Sequence, residues 1–329
     1  MEVKLRTAKS LVQRLNSAAD ADSAAEAIAE IRLLTKHDPE IRSPLADSGA
    51  IPLLAAYLLP SGHSAVSQEN AAAALLNISI SSREALMSTP GLLDALAAAL
   101  QLPSSASGAT QHAAATLYSL LSVDAYRPII GSKRPLVSSL IALLRSPKPP
   151  TRSIKDALKA LFGIALYPLN RPAMVDLGAV PALFSLVVKD GRTGVVEDTT
   201  AVIAQVAGCY ESVDAFRKVA GVRVLVDLVD VGTGASVRAR ENAASALLNL
   251  VMSGGEKAAA DVREIETAEA AIRELAGDGE SARAKSKAES LLTVLESGRR
   301  GHLHRFPEFE VNSPSPPLSS SSSATTVNN

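Results

Sequence analysis

The chain has 329 residues, with 33 Lys and Arg against 34 Asp and Glu, 47% hydrophobic residues, 3% aromatic, a single Cys and no Trp. A net charge of -1 offers no global basic field to a nucleic-acid backbone, and one thiol makes neither an internal disulfide nor a Cys-based zinc site; no nucleic-acid partner and no cofactor are expected. No apolar run approaches the ~18 residues of a membrane span, and Met1-Glu-Val-Lys-Leu-Arg6 lacks a secretory apolar core, which leaves an intracellular protein, cytoplasmic and/or nuclear, with no membrane partner.

The apolar content comes from Ala, Leu, Val and Ile, a composition suited to helices packed closely on one another. Residues 1–23 predict an N-terminal capping helix, amphipathic through Leu5, Leu11, Val12 and Leu15. From residue 24 to 296 the sequence repeats. Gln68-Glu-Asn-Ala-Ala-Ala-Ala-Leu-Leu-Asn77 returns as Glu241-Asn-Ala-Ala-Ser-Ala-Leu-Leu-Asn249, 172 residues later, or four steps averaging 43. The intermediate steps hold Ala115-Thr-Leu-Tyr-Ser119, Lys159-Ala-Leu-Phe-Gly163 and Ala201-Val-Ile-Ala-Gln205, and Ile31-Arg-Leu-Leu34 lies one step earlier. Between these anchors sits an apolar run opened by glycine, at Gly49, Gly91, Gly178 and Gly221, with Gly131 one place early relative to Pro135.

Each unit therefore reads as a short helix, a glycine corner, a second helix with Pro tolerated in its first turn, a polar loop and a longer third helix. No stretch alternates with period two, so no sheet is expected. One unit cannot bury its own apolar face, whereas about six stacked units share an elongated core, which predicts an all-α solenoid, expected to be monomeric. Ala258 to Ala276 is rich in Glu and Ala where an apolar second helix would stand, as a polar terminal cap requires. Residues 297–329, with Pro314, Pro316, Pro317 and the run Ser319 to Ser323, are expected to form a disordered tail.

Glu30-Ile-Arg-Leu-Leu-Thr-Lys36 with Gly49-Ala-Ile-Pro-Leu-Leu54, then Gln68 to Ser79, then Ala282-Arg-Ala-Lys-Ser-Lys-Ala-Glu-Ser-Leu-Leu292 resemble the armadillo repeats of plant U-box ubiquitin ligases and their armadillo-only relatives. The resemblance implies a right-handed superhelix and a non-catalytic scaffold or adaptor for protein partners, in plant signalling or stress and defence regulation. Only residues 1–23 precede the repeats where those ligases carry a U-box, so the chain alone is not expected to be a ligase. The alternative is substrate recognition for a ligase assembly in trans.

The resemblance further implies that third helices line a groove, where asparagines bond the backbone of an extended peptide. Asn77, Ser119, Gly163, Gln205 and Asn249 occupy that position. A carboxamide supplies both donor and acceptor, so it pairs with a peptide unit without reading its side chain. Four residues earlier, where importin-α-like adaptors carry Trp, stand Ala73, Ala115, Lys159, Ala201 and Ser245; such a groove cannot stack on lysine stems, and a different or acidic ligand is easier to accommodate. Three residues earlier again lie Asn70, His112, Asp156, Asp198 and Asn242, on the same helix face, which reads either as groove lining or as solvated surface.

Enzyme signatures are missing. No phosphate loop occurs, the five histidines are scattered, and His302 with His304 lacks metal-ligand partners. Cys209, in the expected helix Val206-Ala-Gly-Cys-Tyr210, reads as a packed hydrophobe. Ser313-Pro314 and Ser315-Pro316 suit a proline-directed kinase, where added charge creates or blocks docking.

Overall fold

The computed structural model describes residues 2–103, 107–146, 150–278 and 281–299. Among them every regular element is helical. α1 (Glu2–Asn16) and α2 (Ala21–His37) open the chain, with the Asp20 carboxylate accepting the Ser23 N–H as N-cap of α2. The expected capping helix thus stops at Asn16, and residues 21–23 already belong to α2. Ala8, Leu11 and Leu15 are buried, but Leu5 is 37% exposed. Lys4 lies 2.8 Å from Asp38 and 2.6 Å from Glu40, while Arg14 lies 2.6 Å from Glu30, so ion pairs hold both ends of α1.

Six three-helix units follow. They are α3 (Arg42–Asp47), α4 (Ala50–Ala56) and α5 (Ala65–Ser81); α6 (Arg83–Ser88), α7 (Leu92–Ala99) and α8 (Ser107–Leu121); α9 (Tyr126–Ser132), α10 (Arg134–Leu144) and α11 (Thr151–Ala165); α12 (Arg171–Asp176), α13 (Ala179–Lys189) and α14 (Thr193–Val206); α15 (Ser212–Lys218), α16 (Gly221–Val229) and the first part of α17 (Val237–Arg263). Gly255, at φ 59° and ψ -144°, breaks α17, and its remainder serves as first helix to α18 (Ala268–Asp278) and α19 (Ala282–Arg299).

In this last unit Ala258, Ala259, Val262, Ala268, Ala271, Ile272 and Leu275 are buried while Glu264, Glu266 and Glu274 are exposed, so the Glu-rich segment turns an apolar stripe inward and a polar face outward. α19 also runs to Arg299, taking residues 297–299 out of the expected tail. Ser313, Ser315, His302 and His304 lie outside the described residues.

Three corners carry glycine in the left-handed region: Gly49 (φ 89°), Gly91 (φ 77°) and Gly178 (φ 80°). The other two expected glycines do different work. At the α15–α16 corner the left-handed residue is Ala220 (φ 50°), and Gly221 starts α16 beneath the Phe184 ring, where an added Cβ would lie 2.7 Å from Cζ. Gly131 sits inside α9 because the buried Asn170 side chain fills the space where its Cβ would stand.

α2 and the successive third helices pack against one another along the array, α2 on α5, α5 on α8, α8 on α11, α11 on α14, α14 on α17 and α17 on α19. Ala71, Ala72 and Ala74, then Ala113 and Ala114, then Ala157 and Ala160, then Ala243, Ala244 and Ala246 are all at most 1% exposed. Small side chains there let helix axes approach to the short end of the ~8–10 Å range. The architecture is a right-handed all-α solenoid. No single described helix is long and apolar enough to cross a membrane.

Candidate functional site on the third-helix face

The five residues of the first expected row are all engaged within the fold. Asn77 donates through Nδ2 to Thr35 Oγ1 at 3.2 Å, and Asn249 through Nδ2 to the Ala204 carbonyl at 2.8 Å. Ser119 Oγ donates to the Ser79 carbonyl at 3.3 Å. Gln205 accepts from Arg171 Nη2 at 3.2 Å. Asn77, Ser119, Gln205 and Asn249 therefore bridge neighbouring helices while remaining half-buried. Gly163 does not belong with them. It is buried, and a Cβ there would stand 2.9 Å from Leu121 Cβ, so its role is close helix approach.

Of the second row, Ala73 is buried and Lys159 half-exposed, with its ammonium 5.8 Å from the centre of the Tyr118 ring and 3.5 Å from Asp156. The third row reaches back to the preceding third helix. Asn70 accepts from Arg32 at 2.5 Å; Asp156 accepts from Gln111 Nε2 at 3.3 Å; Asp198 lies 3.7 Å from Lys155; Asn242 donates to the Glu197 carbonyl at 3.0 Å and to Thr200 Oγ1 at 3.2 Å. His112 keeps Nδ1 buried without a hydrogen-bond partner, and burial, with Arg32 and Arg152 adding to it against Glu69 and Asp156, pushes its pKa down.

A further row escaped the sequence reading. Glu69, Gln111, Lys155, Glu197 and Glu241 sit one residue before the third row and supply its partners, or bond Arg32, Ser236 and Ser281 instead. Its signal was a long polar side chain recurring at the anchor steps. Gly108 and Gly194 make room for two of them: an added Cβ would fall 2.3 Å from Glu69 Oε2 and 3.0 Å from Lys155 Nζ.

Arginines close the ends of α2 and of third helices. Arg42 Nε bonds the Thr35 carbonyl at 2.8 Å, Arg83 the Ser119 carbonyl at 2.9 Å, Arg127 the Leu121 carbonyl at 3.3 Å and Arg171 the Ala165 carbonyl at 2.9 Å, each supplying a cation and a donor where a helix leaves carbonyls unpaired. Arg127-Pro128 and Arg171-Pro172, 44 residues apart, carried that signal in the sequence.

Cys209 lies after α14, not within it, and burial pushes its thiol up to about 11, which keeps it protonated at neutral pH. Among the described residues no group of three or more His, Cys, Asp or Glu is placed to hold a metal.

With the repeat, the third-helix ladder and its polar rows established, comparison with known proteins decides the family. Residues 8–302 match the family described as the plant U-box protein ARM repeat region. The chain belongs to that family. It is 32% identical over 302 residues to U-box domain-containing protein 16 of Arabidopsis thaliana, covering 89% of this chain and 41% of that protein. It is also 32% identical over 300 residues to U-box domain-containing protein 4 of Oryza sativa subsp. japonica, covering 90% and 39%. The chain thus spans about two fifths of the length of these relatives. A designed armadillo repeat protein superimposes with a TM-score of 0.51 at 22% identity, covering 87% of this chain and 99% of that one, which shows the shared armadillo fold. Armadillo repeats generally bind protein partners.

Proposed function

We propose that this armadillo chain is a non-catalytic scaffold that takes an extended segment of a protein partner along its third-helix face. The observation that carries this reading is the recurrence of partly buried polar side chains at the same rows of five successive third helices, held by hydrogen bonds to neighbouring helices. Side chains already held in place lose less freedom when a ligand binds. Asn77 and Asn249 each use one Nδ2 bond inside the fold, and a carboxamide has a second N–H and an acceptor oxygen left for a peptide backbone. Affinity is then spread over many weak contacts with Ser119, Lys159, Gln205, Asn70, His112, Asp156 and Asn242. The proposed setting is plant signalling or stress and defence regulation, in the cytoplasm or nucleus.

Affinity capture with the intact chain, followed by mass spectrometry, identifies the partner. Replacing Asn77 and Asn249 together by Ala is expected to weaken that partner by about tenfold, roughly 1.4 kcal/mol. Unchanged affinity in a variant that melts like the original would sink the groove reading.

A second reading is favoured by the U-box domain-containing relatives: substrate recognition for a ubiquitin ligase assembly in trans. In that case the purified chain shows no autoubiquitination, while its captured partner is modified by a ligase faster when the chain is added. A partner modified equally with and without the chain counts against it.

A further inference from the structure

Glu69 on α5 is 40% exposed, but from α11 to α17 Asp156 and Asp198 lie deeper than the bases they pair with. Arg152, Lys155 and Lys159 follow one another at i, i+3 and i+7 on one face of α11. Arg152 is exposed, and the side chains of Lys155 and Lys159 are 39% and 44% exposed. Their counter-ions are sunk between helices: Asp156 is 13% exposed and Asp198 16%. Arg238 of α17, 62% exposed, completes the arrangement, 3.9 Å from the same Asp198 that Lys155 approaches. The recessed carboxylates pair with Lys155, Lys159 and Arg238, whose side chains stay more exposed than the acids. Tyr118, 47% exposed, flanks the stripe on α8 beneath Lys159.

We propose that the middle of the third-helix face, from α8 to α17, is a docking stripe for an acidic segment of a partner protein, whose carboxylates meet Arg152, Lys155, Lys159 and Arg238 and whose apolar side chain rests on Tyr118. This inference rests on the groove reading above and specifies the chemistry of its occupant. Charge complementarity at differing depth carries it: an incoming anion meets the raised cations before the recessed acids, and in a groove of reduced dielectric that difference is amplified. Three helix-to-helix steps of roughly 9 Å make the stripe about 27 Å long, the reach of about eight extended residues.

The test is selection of random peptides of about twelve residues, long enough to span the stripe, on the immobilised full chain. It is repeated on Arg152→Glu/Lys159→Glu/Arg238→Glu and on the milder Arg152→Gln/Lys159→Gln, with melting curves showing that each variant folds. Peptides enriched in Asp and Glu around an aromatic or aliphatic residue are expected, with affinity that falls as salt rises and drops about tenfold or more in both variants. Selection with no acidic enrichment, an empty selection, or acidic peptides that bind both variants as well as the original overturns the proposal. Peptides without charge bias that are still lost on Asn77→Ala/Asn249→Ala overturn it while leaving the groove reading in place. A DNA duplex, or a synthetic peptide of residues 300–329, that outcompetes the selected peptides at this stripe assigns it to another occupant and overturns it as well.

Discussion

Ala220 holds φ 50° and ψ 33° at a corner where three other units place glycine, and an L-residue there carries a left-handed cost of roughly 1–2 kcal/mol. Ala220→Gly removes that cost at the expense of a more flexible unfolded chain, so a net stabilisation of up to about 1 kcal/mol is expected. Gly49→Ala is the mirror experiment. Nothing lies within 4 Å of the added Cβ, so the change acts through the backbone alone and should destabilise by about 1 kcal/mol. Urea unfolding of both variants checks the signs, and a stabilised Gly49→Ala would remove the strain argument.

His112 sets a pH dependence at the same scale. Its folded pKa is depressed, chiefly by burial and then by Arg32, so the folded state favours the neutral ring. The unfolded chain takes up the proton first as pH falls, and the stability conferred by the neutral form, complete above the unfolded value near 6.5, declines as pH drops toward the lower folded value. His112→Gln should flatten the fall in stability between neutral and mildly acidic pH. Equal slopes in the two proteins would show that His112 is not the titrating group.

Among elements, the contact of α11 with α8 is set by Gly163. Rebuilding the asparagine row there with Gly163→Asn forces a side chain against Leu121 and should cost about 1–3 kcal/mol instead of extending the ladder. Equilibrium unfolding measures it, and a variant as stable as the original would mean that the two helices separate freely. The α11–α12 connection depends on Asn170, which is buried and donates to the Ile164 and Arg127 carbonyls at 2.9 and 3.0 Å. Asn170→Ala withdraws both donors from carbonyls that water cannot easily reach, and a loss of about 1–3 kcal/mol is expected.

For the whole molecule, stability in a solenoid comes from each unit and its two interfaces, so end units have one interface fewer. Hydrogen exchange should be slowest in α8, α11 and α14 and fastest in α1 and α19. Slower exchange in α19 than in α11 would contradict nearest-neighbour stacking. Light scattering is expected to return a mass near 34.1 kDa, a monomer.

The period, the three-helix unit, the all-α solenoid and the positions of the third helices are all legible in the order of the residues. Those properties follow from which residues are apolar and how often they recur, and recurrence is visible without coordinates. The same order also locates the rows of Asn70 and Asn77, because residues seven apart must share a helix face. What those rows touch is a matter of packing between units. Asn249 bonds a carbonyl 45 residues away, Gly163 meets Leu121, and Gly131 yields to Asn170, each across a gap between units that no local pattern encodes. The charge of the face was decided there too. Composition counts Asp156 and Asp198 equally with Lys159 and Arg238, whereas packing sinks the acids and raises the bases, and a partner meets charge according to its depth.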